Sequence, residues 1–241
     1  MLKEVLYKMY KDPVGLLART MNKIIIAPFK YGRDGGYDAQ KYWGDRFSKY
    51  GETLRASGDE GLSEEENLLK YKQASDLMVS LLHREKINLE QTIALEIGCG
   101  TGFYTQLLHD LSVMNYVGVD ITDALFPELR QKYLGYQFIK KDVTTEEIGQ
   151  SSCDLILMID VIQHIVNEDR LAYAMKSVQQ LLARNGIFIL APLMTTKKKH
   201  LFYLHSWKTE DIRKYFPEDE YLFSEGVPFK DNTLLVIRNI K

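Results

Sequence analysis

The chain has 241 residues, 45% hydrophobic and 27% charged, the composition of an ordinary globular protein long enough to bury one sizeable core. Its 31 Lys and Arg against 33 Asp and Glu leave a formal charge of −2, which excludes the broad positive footprint of a general nucleic-acid binder. Two cysteines, Cys99 and Cys153, are too few for a disulfide framework, and no CxxC or Cys/His cluster suggests zinc, so a reducing, cytoplasmic setting is expected.

Residues 1 to 34 come first and hold seven Lys or Arg against three acids, interleaved with Leu2, Val5, Leu6, Met9, Leu16, Leu17 and Ile24 to Ile26. No apolar run approaches the roughly 18 to 20 residues that span a bilayer, so no transmembrane segment is expected. Arg19, Asn22 and Lys23 interrupt the apolar stretches and no small-residue cleavage site follows, which argues against a secretory signal. Residues 1 to 30 fit either peripheral contact with an anionic membrane or packing on the core or a second subunit. The next segment, YDAQKYWGDRFSKYG, spaces Tyr37, Tyr42, Trp43, Arg46, Phe47 and Tyr50 compatibly with one helical face.

At Ser63 and Glu66 the spacing of a capping box predicts a helix through LLKYKQASDLMVSLLHRE. The texture changes here, dividing the chain into an N-terminal helical cap, 1–62, and a main domain, 63–241. In the main domain apolar strand-like runs alternate with helix-like segments: TIALEIG with YTQLLHDLS, NYVGVD with ALFPELRQKY, YQFIKKD with TTEEIG, CDLILMID with NEDRLAYAMKSVQQLLA, and GIFILAP with WKTEDIRKYF. The alternation predicts an α/β, doubly wound, mostly parallel sheet covered on both faces. YLFSEGV and TLLVIRNI leave no room for a crossover helix between them and should form an antiparallel hairpin at or near the sheet edge.

ALEIGCGTGFYT carries the chemistry. Gly98, Gly100 and Gly102 let the backbone take positive φ and bring amides within reach of a ligand, beside the N-terminus of the following helix. Glu96, two residues ahead, would repel a pyrophosphate and attract the ammonium of an amino-acid moiety, which disfavours a nicotinamide dinucleotide. Asp120 closes the next strand, where an acid can take both hydroxyls of a ribose. Asp142 and Asp160 close the third and fourth strands, at the edge where doubly wound sheets bind ligands; capping of the following helices is the alternative role for both.

LEIGCGTG, VGVDIT, FIKKDV, CDLILMIDVIQHI and GIFILAP resemble, in order and spacing, the successive motifs of class I S-adenosylmethionine-dependent methyltransferases, over about residues 66 to 241. The resemblance implies a seven-stranded Rossmann-like sheet whose last strand runs antiparallel. S-adenosyl-L-methionine is the implied cofactor and S-adenosyl-L-homocysteine its product. It implies further that Glu96 and the loop Gly98, Cys99, Gly100 and Gly102 surround the methionine portion, that Asp120 holds the ribose, that Ile121 flanks the adenine and that Asp142 and Val143 meet its edge. Asp160 and Val161 would lie near the transferred methyl. Similar enzymes close an N-terminal segment over the cofactor, which makes Tyr42, Trp43 and Arg46 the expected lid, with Arg46 on the cofactor carboxylate. A plain aromatic stripe packed on the sheet edge is the alternative.

Such a transfer is governed by alignment of nucleophile, carbon and sulfur. For a hydroxyl or ammonium acceptor a base is also useful, and His164 is the candidate, its alternative being packing or capping at the next helix. IDVIQHI departs from the Asn/Asp-Pro-Pro-aromatic tetrapeptide of enzymes that methylate nucleobase amines, which moves the expected acceptor toward a small molecule, sugar or natural-product metabolites favoured. MTTKKKHLFYLHSW offers His200, Tyr203, His205 and Trp207 as acceptor-side residues, with Lys197, Lys198 and Lys199 suited to an acidic acceptor or simply solvated. A protein N-methyltransferase and a cofactor-binding partner subunit without catalysis are the other readings.

Overall fold

In a computed structural model the described residues are 10, 12–33, 36–149, 152–194 and 201–241. Seven strands form one sheet: β1 Ile93–Ile97, β2 Asn115–Asp120, β3 Gln137–Lys140, β4 Cys153–Ile159, β5 Leu182–Leu193, β6 Tyr221–Phe229 and β7 Asn232–Asn239. Their spatial order is β3-β2-β1-β4-β5-β7-β6. β1 to β5 pair in parallel, while β7 runs antiparallel to both neighbours, β5 and β6. The order reverses between β1 and β4, and the crevice beyond the carboxyl ends of those two strands is where such a sheet receives a ligand.

The strands read as nearly continuous apolar runs because both faces are covered. Leu95, Ile156, Met158 and Phe188 project to one face, and their neighbours Ala94, Leu155, Leu157 and Ile187 to the other. Counting the principal helices in chain order, α1 spans Pro13–Met21, α2 Ala27–Tyr31, α3 Ala39–Tyr50, α4 Glu64–Arg84, α5 Phe103–Asp110, α6 Phe126–Lys132 and α7 Glu168–Leu181. α7 covers the first face with Leu171, Ala174, Met175 and Val178, and α4 covers the second with Tyr71, Ala74, Met78 and Leu82. At the start of α4 the Ser63 hydroxyl accepts from the Glu66 amide and the Glu66 carboxylate accepts from the Ser63 amide, the reciprocal cap expected there.

Two local expectations are corrected. TTEEIG is not helical, because Asp142 and Glu146 turn inward on their own backbone: Asp142 Oδ1 accepts from the Thr144 amide at 2.9 Å and Glu146 Oε2 from the Asp142 amide at 2.8 Å. The loop of the terminal hairpin shrinks from PFKDN to Lys230 and Asp231, since β6 stays paired as far as Phe229 opposite Asn232. Residues 13–33 and 36–50 form a helical layer, α1 to α3, with a short antiparallel pair, Gly32–Arg33 against Gly36–Tyr37, before α3.

Candidate active site

The glycine turn links the end of β1 to α5. Gly98 and Gly100 have φ of 79° and 47°, left-handed values that glycine takes without strain. A Cβ on Gly98 would stand 2.1 Å from Val161 Cγ2, so the closeness of the β1 and β4 ends depends on its absence. Residues 98–101 line a cavity of about 450 Å³ at the switch point. Gly102, expected in the same lining, is not part of it: it caps α5 in the left-handed conformation, and a Cβ there would lie 2.4 Å from Leu129 Cδ2. Cys99 is buried beneath the turn and lines the cavity as a free thiol.

Glu96 and Asp120 are buried carboxylates in the cavity wall. Glu96 Oε2 accepts from Thr105 Oγ1 at 2.9 Å and from the Tyr116 hydroxyl at 2.5 Å, yet burial still pushes its pKa up to about 8. Asp120 Oδ2 accepts from the Gly100 amide at 3.0 Å and Oδ1 from the Thr122 amide at 3.1 Å, and burial raises it to about 6. Neither has an ion-pair partner among the described residues. Nearby, the Tyr104 hydroxyl lines the cavity, buried and without a hydrogen-bond partner. An unmet buried donor costs about 1–3 kcal/mol, so it suits a polar ligand atom.

Ile121, Asp142, Val143, Asp160 and Val161 also line the cavity. Asp142 spends Oδ1 on the Thr144 turn, and its Oδ2 lies 3.8 Å from Arg170, so it does locally what a cap does while still facing the cavity. Asp160 has φ 60° and its amide donates to Ala191 O at 2.8 Å. His164 ends the short helix Ile162–His164; its Nδ1 lies 3.0 Å from Tyr203 O, and its ring meets Trp43 edge-on at 4.8 Å. Burial holds the imidazole at a pKa of about 4, hence neutral near pH 7, with Nδ1–H donating to Tyr203 O and Nε2 carrying the lone pair.

Of the expected lid, α3 brings Trp43 into the cavity wall, its Nε1–H donating to the Tyr37 hydroxyl at 3.3 Å. Arg46 does not reach that cavity: its guanidinium donates to Arg55 O at 2.9 Å and Gly58 O at 2.5 Å, because a buried cation is drawn to backbone acceptors of the loop packed against α3. Tyr42 also turns away and stacks on Tyr203 at 5.2 Å. The acceptor-side set is dispersed likewise. Trp207 is a core residue whose Nε1–H donates to Ile165 O at 2.8 Å, His205 packs on Trp207 with rings 3.9 Å apart, and Tyr203 meets the site at His164, through its carbonyl and a ring stacked 6.0 Å away. Their aromatic bulk is used for packing. His200 and Lys197 to Lys199 lie outside the described residues.

Sequence reasoning missed Tyr71, Ser57, Tyr104 and Lys230. Ser57 Oγ joins Thr101 Oγ1 at 3.2 Å and the Tyr71 hydroxyl at 3.4 Å, which ties the cap and α4 to the glycine turn. Only the position of Tyr104, second residue of the helix after the glycines, was a usable signal.

Residues 95–190 match the family described as a methyltransferase domain, across the glycine turn and the acids of β2, β3 and β4. The chain carries a methyltransferase domain. Solved structures agree in fold. Magnesium protoporphyrin IX methyltransferase from Synechocystis with bound S-adenosylhomocysteine is 19% identical, covers 83% of this chain and 99% of its own, and has a TM-score of 0.62. A Clostridium acetobutylicum S-adenosylmethionine-dependent methyltransferase is 17% identical with a TM-score of 0.57, over 81% of this chain and 98% of its own. An amino pentose methyltransferase from Micromonospora echinaspora with bound S-adenosylmethionine is 13% identical with a TM-score of 0.59, over 74% of this chain and 97% of its own. No curated protein sequence matches the chain. The cavity of the domain suits a polar, cationic ligand: two buried carboxylates and a buried hydroxyl without a partner among the described residues lie along its wall.

Proposed function

We propose that the methyltransferase alkylates an oxygen or nitrogen of a small-molecule acceptor, with sugar and natural-product metabolites the favoured class. The observation that supports this reading is that α3 walls the cavity with Trp43, 4.8 Å from His164, in a cavity of about 450 Å³ whose size suits a small acceptor beside the cofactor better than a macromolecule. Neighbours named for magnesium protoporphyrin IX and an amino pentose supply the first two acceptor chemistries to test.

In this reading Glu96 takes the cofactor ammonium, the amides of the glycine turn and the Tyr104 hydroxyl meet the methionine portion, and Asp120 takes the ribose hydroxyls. Ile121, Asp142 and Val143 hold the adenine; Asp160 and Val161 border the reacting end. The sulfonium supplies an already activated methyl group. Alignment is then the main task of the chain, contributed by Gly98, Val161 and Trp43 packed around the reacting end. His164 serves as the hydrogen-bond acceptor for the proton on the acceptor nucleophile, its Nε2 lone pair kept free because Nδ1–H is committed to Tyr203 O. Incubation with methyl-labelled S-adenosylmethionine and a metabolite panel tests the proposal. Label in a small-molecule product supports it; label only in protein, or cofactor binding without any transfer, overturns it.

A further inference from the structure

The helical layer in front of the domain is built inside out. α1 buries no residue, and from it through α2 the side chains of Val14, Leu17, Met21, Ile25 and Phe29, spaced by three or four residues, are 49% to 95% exposed. A π-helical turn over Asn22–Ile26 joins α1 to α2 and carries the row from Met21 through Ile25 to Phe29 in steps of four. The opposite side holds the buried Ala27 and sends Asn22, Lys23 and Lys30 into a second cavity of about 260 Å³ shared with Lys49 and Tyr203. An isolated exposed leucine needs no explanation; five large apolar side chains in one row do.

Charge selects what covers them. The first 50 residues hold ten Lys or Arg against five acids, although the whole chain carries −2. The Pro13–Tyr31 segment carries Arg19, Lys23 and Lys30 and no acid of its own; Lys23 and Lys30 lie on the polar side, where Lys30 pairs with Asp45 at 2.7 Å, and Arg19 is tied to Asp12 at 2.9 Å. A second copy seated on this face would bring the same cationic segment against itself, whereas an anionic bilayer accepts both the apolar row and the cations. We propose that the Pro13–Tyr31 segment seats on the surface of an anionic lipid bilayer, apolar row inward. The hairpin that follows contributes Arg33, Gly36 and Tyr37 to the main cavity, so this seating sets the cavity rim beside the membrane. The proposal goes beyond the methyl-transfer reading and does not rest on it.

The test uses the full chain and sedimenting vesicles of phosphatidylcholine with phosphatidylglycerol, or phosphatidylcholine alone, at low salt. The expected result is cosedimentation with the anionic vesicles, weaker by at least about tenfold without the anionic lipid or in about 0.5 M salt. The double variant Ile25→Ser, Phe29→Ser should lose at least about tenfold of that binding while keeping the wild-type circular dichroism and melting temperature, since both side chains face away from the core. Absence of cosedimentation with anionic vesicles overturns the proposal, as does full retention by the double variant. A lipid-free dimer in sedimentation velocity that the double variant dissolves also overturns it, and assigns the face to a second copy.

Discussion

The Lys230 ammonium stands 2.5 Å from Asp160 Oδ2 and 4.2 Å above the Tyr71 ring, so the turn of the terminal hairpin reaches back to the end of β4. Both members of the ion pair are largely shielded, each 19% exposed, which lifts it above the ordinary surface pair. Lys230→Met should cost about 1–2 kcal/mol in urea unfolding, because it leaves Asp160 without its cation. Adding Asp160→Asn to that variant should recover part of the loss. Equal stability of wild type and Lys230→Met would refute the coupling.

Glu96 and Asp120 give the ligand-free protein a particular pH dependence. Their folded pKa values, about 8 and about 6, lie above the ordinary 4.5 and 3.8, so folding favours the protonated forms. Their contribution to stability is therefore full in acid and is lost as pH rises through about 4 to about 8. Glu96→Gln should flatten this slope and raise stability at about pH 9 relative to wild type, while weakening S-adenosylmethionine binding by at least about tenfold. Urea titrations at about pH 5 and about pH 9, with calorimetry of the cofactor, check both halves. In wild type, cofactor affinity should climb between about pH 6 and about pH 8 with proton release, since the cation binds the ionised carboxylates.

Gly98 and Gly102 should fail differently when given a methyl group. Gly98→Ala meets Val161 at the cavity and should weaken cofactor binding by at least about tenfold, with partial recovery on adding Val161→Ala. Gly102→Ala meets Leu129 behind the cavity and should cost about 1–3 kcal/mol of stability with cofactor affinity of the folded protein unchanged within about threefold. Matched calorimetry and thermal unfolding distinguish them.

His164→Ala should lower kcat/KM by about a hundredfold with little change in cofactor affinity. Because its pKa is held near 4, the wild-type rate should show no inflection at the usual histidine value of 6.5 that the variant lacks. An unchanged rate removes the proposed role.

The parts of the site that could be read from the chain are those set by local constraints. Gly98 and Gly100, the acids at the ends of β2, β3 and β4, and the Ser63 cap each depend on backbone conformation or on neighbours a few residues away, and each lies where its spacing put it. TTEEIG failed because Asp142 and Glu146 had two local uses, helix or turn, and spacing cannot choose between them.

The sequence by itself determined the alternation of strand and helix, the antiparallel last strand and a glycine turn set beside strand-end acids, since hydrophobic period, turn chemistry and strand-end charge are properties of short stretches. Only the tertiary structure decided that Arg46 serves the Arg55 and Gly58 carbonyls, that Tyr42 stacks on Tyr203, that Trp207 supports Ile165, and that Lys230 returns to Asp160. Long side chains are interchangeable as pattern and are distinguished only by which acceptors and rings packing brings within reach, across separations as large as 70 residues for Lys230 and Asp160.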